Sequence, residues 1–295
     1  MSTSEPTNGI VVGVDGSPYS VVAVRWAVGE AVMRNHQLDI VNVISPLVGG
    51  WEGAWGAPLP EDFGPWQEKQ AHRVLEDAVR IARDSAGGAA VRIRTETPFG
   101  PLVPTLVDMT KHAEMIVVGC RGMGALNRAV LGSASTALIH HAHCPVAVLH
   151  GEAPAERPQA PIVLGVDGSR ASEGATALAF EEASLRKAEL VALHAWSDAD
   201  WPEIAPIPWP DISADAEEVL AERLAGWQER YPDVAVRRVV VRDHPAQNLL
   251  ALAETAQLLV LGSHGRGGFA GMLLGSVSSA VVHAIQTPVI VARHD

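Results

Sequence analysis

The sequence predicts two consecutive α/β domains, each an open parallel sheet of five strands with helices on both faces. Three observations carry this expectation. The chain has 295 residues, a length near which a single hydrophobic core tends to divide into domains. Its second half repeats its first, and such self-similarity marks a duplicated structural unit. Within each half, short apolar runs alternate with longer stretches of helical periodicity, the pattern of parallel strands joined by crossover helices.

The repeat is clearest at its start, where IVVGVDGSPYS at Ile10 to Ser20 matches IVLGVDGSRAS at Ile162 to Ser172. At the same offset Glu30 meets Glu182, Arg34 meets Arg186 and Leu38 meets Leu190. The offset then shortens, so the first half has the longer middle segment. IVVGCRGMGALNRAVLGSAS answers LVLGSHGRGGFAGMLLGSVS, and HCPVAVLH answers QTPVIVAR. The Pro-, Ala- and charge-rich stretch GEAPAERPQAP lacks any periodic apolar pattern and reads as a linker. The expected organisation is domain 1 at residues 1–151, a linker at 152–160 and domain 2 at 161–295.

In the first half, apolar runs predict strands at Ile10 to Val14, Leu38 to Ile44, Val91 to Thr95, Met115 to Gly119 and Val146 to Leu149. Helical spacing predicts helices at Val21 to Arg34, Trp66 to Ser85, Leu102 to His112 and Ser133 to His141. The segments Pro46 to Pro65 and Ser197 to Asp211 interrupt this order and hold Trp51, Trp55, Trp201 and Trp209. They read as ordered surface loops that pack indoles on the adjoining helix, or alternatively as a lid or partner surface.

The formal net charge of −12 argues against a sequence-independent nucleic-acid binder, whose affinity comes mainly from Lys and Arg on phosphates. The polar start MSTSEPTNG lacks a signal pattern, and apolar runs such as MIVVG and LLVLG are too short to span a bilayer. The two cysteines fit a reducing compartment, and a strand length separates Cys120 from Cys144, so no internal disulfide is expected. A cytoplasmic protein follows, with no membrane partner.

Ligands of open parallel sheets bind outside the C-terminal strand ends, where the strand order reverses. Two features converge there in each half. One is an aspartate ending the first strand, Asp15 and Asp167, preceded by Gly13 and Val14 or by Gly165 and Val166 and followed by Gly-Ser. The other is a loop leaving the fourth strand with the pattern Gly, two residues, Gly, nine residues, Gly-Ser. In the first half it contributes Gly119, Cys120, Arg121, Gly122, Met123, Gly124, Ala125, Gly132, Ser133, Ala134 and Ser135. In the second it contributes Gly262, Ser263, His264, Gly265, Arg266, Gly267, Gly268, Gly275, Ser276, Val277 and Ser278. Glycine lets backbone amides surround phosphate oxygens. The serine opens a helix whose free N–H groups and dipole favour an anion.

These motifs resemble the ATP-binding branch of the universal stress protein family, and the tandem arrangement is similar to the two-domain stress proteins of mycobacteria and their relatives. The resemblance covers nearly all of both halves. It implies Rossmann-like domains of the adenine nucleotide alpha hydrolase-like type. It also implies ATP at two sites per chain, with Asp15 and Asp167 on the ribose and the glycine loop and Gly-Ser on the phosphates. The backbone near Val43 and Ala195 would then be the adenine edge. A nucleotide-dependent regulator of stress response or dormancy is the implied function, with a homodimer and a further regulatory protein as implied partners.

The alternatives are weaker. As helix caps, Asp15 and Asp167 would have no ligand role, but the duplicated pairing with the loop argues against this. Neither a P-loop nor a dinucleotide fingerprint is present. An enzyme reading, a slow ATPase or phosphotransferase with Asp15 or Asp167 holding Mg²⁺, finds no dedicated Lys, Arg finger or further base, and no catalytic residue is assigned. A nucleotide-independent dimeric scaffold would not need the glycine loops. His140, His141, His143 and Cys144 suit zinc, yet the repeat keeps only His283, so no metal site is expected. Within the loops the halves differ at Arg121 versus His264, Met123 versus Arg266 and Ala125 versus Gly268; Arg266 would add charge to a phosphate that the first site lacks, so the two affinities need not agree. The strand order that the resemblance implies puts the closing strands Val146 to Leu149 and Val289 to Ala292 at the edges of their sheets; they carry no Lys or Glu, and such unguarded edges are expected to pair with each other.

Overall fold

The structure is a computed structural model and describes residues 9–46, 62–122, 131–151, 159–196, 209–265 and 274–293. Its chain divides into two compact units, Met1–Cys144 with Gly151–Ala153, and Pro145–His150 with Pro154–Asp295.

The first unit contains β1 (Ile10–Gly13), α1 (Pro18–Arg34), β2 (Leu38–Val41), α2 (Phe63–Ser85), β3 (Ile93–Glu96), α3 (Leu102–Met109), β4 (Met115–Gly119) and α4 (Ser133–His141). Its strands lie in the order β3-β2-β1-β4, with β1 parallel to both β2 and β4. The central strands β1 and β4 are apolar and buried on both faces, as parallel strands covered by helices must be. α1 packs with α2, and α3 with α4. The chain moves outward from β1 to β3 and returns to β4 on the other side, so right-handed crossovers place these two pairs on opposite faces. The order reverses between β1 and β4.

α1 begins three residues before the periodicity suggested. Ser17 is its N-cap, accepting a hydrogen bond from Ser20 N, and Pro18 is its first residue; proline suits that position because its missing N–H would have no helical partner there. Asn35 ends the helix in the left-handed conformation, φ 53°. α3 stops three residues early, where the Thr110 hydroxyl donates to Val107 O at 2.6 Å. β3 starts two residues late.

The second unit contains β5 (Val146–Leu149), β6 (Ile162–Gly165), α5 (Arg170–Arg186), β7 (Leu190–Trp196), α6 (Trp209–Arg230), β8 (Val236–Arg242), α7 (Pro245–Ala253), β9 (Leu258–Gly262), α8 (Ser276–Ala284) and β10 (Val289–Ala292). Its strands lie in the order β5-β10-β9-β6-β7-β8. Both closing strands are apolar and fully buried, and they pair antiparallel, with Val148 opposite Val289 and Val146 opposite Val291. The five strands of the second repeat, β10-β9-β6-β7-β8, form the parallel sheet that the sequence predicts, and β5, which stands by contacts in the second unit, adds one antiparallel strand beside β10. Unguarded apolar edges satisfy their backbone groups best by pairing with each other.

Both cysteines are free and buried. Among the described residues no three His, Cys, Asp or Glu side chains converge as metal ligands, and no helix is long and apolar enough to cross a membrane. The Pro- and Trp-rich segments lie outside the described residues except at their ends.

Candidate nucleotide site

After β1 and β6 the chain turns through a glycine that takes up the left-handed conformation, Gly16 at φ 83° and Gly168 at φ 79°, a geometry that disfavours other residues. The turn is closed by the aspartate. Asp15 Oδ1 accepts from Ser17 N at 2.9 Å, and Asp167 Oδ1 from Ser169 N at 2.9 Å. Capping of the following helix falls instead to Ser17 and Ser169, whose hydroxyls accept from Ser20 N and Ser172 N. The other carboxylate oxygen of each aspartate therefore faces across the switch point.

It meets the glycine loop. A β-carbon on Gly122 would stand 2.5 Å from Asp15 Oδ2, and one on Gly265 would stand 2.6 Å from Asp167 Oδ2. Gly119 and Gly262 serve a different purpose: their β-carbons would lie 2.6 Å from Tyr19 Cβ and 2.8 Å from the carbonyl carbon of Ala171, so only glycine lets the first helical turn press on the strand end. Each loop is pinned into a ring. Gly132 N donates to Cys120 O and Gly275 N to Ser263 O, both at 2.8 Å. Ser135 Oγ donates to Gly119 O at 2.8 Å and Ser278 Oγ to Gly262 O at 2.7 Å. The loop is also stitched to the β1 turn by Ser17 Oγ to Arg121 O at 3.4 Å, and by Ser169 Oγ to His264 O at 3.2 Å.

Ser133 and Ser276 are the first residues of α4 and α8, and the N-caps Gly132 and Gly275 give those helices no side-chain cap. Their leading N–H groups and positive dipole ends point at the switch point, where an anion is stabilised. Ala134 and Val277 follow in the same turns.

Strand two supplies the remaining wall. Val14 N bonds Val41 O, and Val166 N bonds Leu193 O. Backbone groups alternate sides along a strand, so Val43 and Ala195, two residues on, direct theirs past the ends of β1 and β6. Among the described residues Val43 takes no hydrogen bond, while its neighbours Asn42 and Ile44 bond Glu96 O and Pro98 O on the opposite side.

In the second repeat these parts enclose a cavity of about 260 Å³. Its lining includes Gly165, Val166, Asp167, Ala195, Gly262, His264, Gly265, Gly275, Ser276, Val277 and Ser278. Ser263 lies behind it, bonded to His264 Nδ1 at 3.0 Å. In the first repeat Gly13 precedes the turn and the buried Cys120 carries the loop carbonyl; burial pushes the Cys120 thiol above its usual range. Met123, Gly124, Ala125, Arg266, Gly267 and Gly268 lie outside the described residues, as does the charge expected from Arg266.

Sequence reasoning missed several residues. Asn42 Nδ2 donates to Val14 O at 2.7 Å, and His194 Nδ1 stands 2.7 Å from Val166 O; each fixes the carbonyl just before the aspartate. Their shared place at the end of strand two was the available signal. Pro245 and Leu249 of α7 line the cavity, and Tyr19 reaches Arg121; neither belongs to the repeated glycine motif.

The Universal stress protein family model matches residues 7–150 and again 160–293. The chain belongs to the universal stress protein family. Universal stress protein Rv2623 of Mycobacterium tuberculosis is 50% identical over 296 residues, 99% of each chain. Universal stress protein Mb2028c of Mycobacterium bovis is 49% identical over the same share. Among solved structures, a universal stress protein from Archaeoglobus fulgidus superposes with a TM-score of 0.71 at 19% identity, covering 99% of this chain and 100% of that one. That likeness bears on the fold: two tandem universal stress protein domains, α/β with a mostly parallel sheet.

Proposed function

We propose that this universal stress protein binds ATP at two sites, one per repeat, and acts as a nucleotide-dependent regulator of stress response or dormancy with little turnover. The observation that carries the reading is the meeting of Asp15 with Gly122, reproduced by Asp167 and Gly265. A carboxylate beside a backbone cradle is suited to a ligand with hydroxyls at one end and phosphates at the other. The ribose would lie on the aspartate, the adenine on the backbone of Val43 or Ala195, and the phosphates on the loop and the starts of α4 and α8. The repeats are taken as residues 1–151 and 161–295 with a linker at 152–160, in a cytoplasmic protein that forms homodimers and meets a regulatory protein.

Mg²⁺ would arrive with the phosphates, since the described residues gather no three ligand side chains of their own. Mass spectrometry of small molecules released from freshly purified, denatured protein tests the reading. Co-purified ATP supports binding without turnover, ADP favours a slow ATPase, and an empty pocket favours the scaffold. Calorimetric titration of stripped protein should then count two sites.

A further inference from the structure

We propose that Asn42 and His194 are positioning residues that keep the base edge of each site open, by taking a carbonyl that strand two would otherwise bond with the amide the ligand needs. The inference rests on the nucleotide reading above and gives a role to two residues outside the glycine motif. In a parallel ladder a residue donates through its N–H to one residue of the neighbouring strand and accepts through its C=O from the amide two positions further on. Gly13 stands opposite Val41, which sets Val14 opposite Asn42, and Val14 N donates to Val41 O at 2.9 Å. The next rung would run from Val43 N to Val14 O. A side chain takes its place: Asn42 Nδ2 donates to Val14 O at 2.7 Å, and among the described residues the Val43 amide makes no hydrogen bond.

The second repeat makes the same replacement with a different group. Gly165 stands opposite Leu193, and Val166 N donates to Leu193 O at 2.8 Å. The rung due from Ala195 N to Val166 O is taken by His194, whose Nδ1 lies 2.7 Å from that oxygen; a carbonyl only accepts, so Nδ1 carries the proton. A carboxamide and an imidazole share little except a donor at this reach, so a donor is what the position demands. Val14 and Val166 are buried, and a buried carbonyl left without a donor is costly, so without the side chain the strand amide would close on it. With the side chain in place the ladder ends one rung early, and an N–H is directed past the end of β1 or β6, where it suits an acceptor nitrogen on the edge of a purine. The same bond fixes the main chain one residue before Asp15 or Asp167.

The test uses full-length, nucleotide-stripped protein with the second site silenced by Gly265→Leu, titrated with adenosine and followed by hydrogen exchange at the Val43 amide. In this parent the amide should exchange freely until adenosine protects it. Asn42→Leu should weaken adenosine binding by about tenfold, the scale of one hydrogen bond, and should protect the Val43 amide without ligand, because it then closes on Val14 O. Asn42→His, which brings in the donor of the second repeat, should restore affinity to within about threefold and free the amide again. With Gly122→Leu as the silencing change, His194→Phe keeps a ring but loses the donor and should show the same loss at the second site, while His194→Asn keeps the binding; this pair carries the test should an Asn42 variant melt early. A folded Asn42→Leu with unchanged adenosine affinity, or with Val43 exchanging as in the parent, would overturn the role and leave the nucleotide reading intact, as would a loss that Asn42→His fails to repair. A parent protein that binds neither adenosine nor ATP overturns both.

Discussion

Across the β2–β3 pair, Arg94 Nε donates to Asp39 Oδ1 at 2.9 Å, and Asp39 is fully buried. Gln37 Nε2 donates to the same oxygen at 2.8 Å, and Arg94 also pairs with Glu96. The second repeat has Val191 in that register opposite Arg237, which pairs instead with the half-exposed Glu189 at 3.3 Å. Removing one partner of a buried pair strands a charge, whereas an exposed pair contributes little. Arg94→Ala should therefore cost about 2–3 kcal/mol, toward the lower end for a buried pair because the guanidinium is 31% exposed. Arg237→Ala should cost under about 1 kcal/mol. Denaturant unfolding of the full chain compares them, and equal losses would contradict the contrast.

Much of the site was legible because chemistry that needs a particular backbone leaves residues that cannot drift. Asp15, Gly122 and Gly132 have partners in Asp167, Gly265 and Gly275, and each set of three stands together within its own repeat. Asn42 and His194 were not legible, since their common task, holding a carbonyl, can be met by different side chains. The start of α1 was misplaced although Ser17 and Pro18 signalled it, because apolar periodicity begins only where the helix meets the sheet. The pairing of β5 with β10 was foreseen from their bare apolar edges. That β5 would group with the second unit was not, as nothing local distinguishes a strand closing its own repeat from one closing its neighbour.

Gly122→Leu and Gly265→Leu should each abolish most nucleotide binding at their own site, lowering affinity by more than about tenfold. The added side chain starts against the aspartate carboxylate and then fills the cradle. Neither glycine adopts a left-handed φ, so the fold should persist. Titration with thermal melting reads both quantities, and a folded variant with normal affinity would remove the loop from the site.

Steady-state ATP hydrolysis should be far below a median enzyme rate of about 10 per second, because the proposed cradle uses backbone amides and the sequence has no P-loop lysine to stabilise a transferring phosphate. A phosphate-release assay on protein free of contaminating ATPase checks this, and turnover near that rate would sink the regulatory reading.

Burial pushes the Cys144 thiol up to about 12. At pH 8 its thiolate is scarce, so native protein should leave Cys144 unmodified by iodoacetamide while urea-unfolded protein is alkylated. The sign for stability follows. The raised value favours the folded state fully below the ordinary thiol range, and that contribution is lost as pH rises from about 9 toward 12. Cys144→Ala should flatten this alkaline part of the stability curve; an unchanged slope would assign it to other groups.

The antiparallel pairing of Val146–Leu149 with Val289–Ala292 has a consequence for how the protein is made. A ribosome delivers β5 before every other strand of the second unit and its partner β10 only after all of them. Throughout the intervening synthesis the antiparallel partner of this apolar strand does not yet exist, the circumstance in which nascent chains associate wrongly. Translation halted before β10 would release a strand without its mate, so β10 acts as the latch that closes a segment translated long before it.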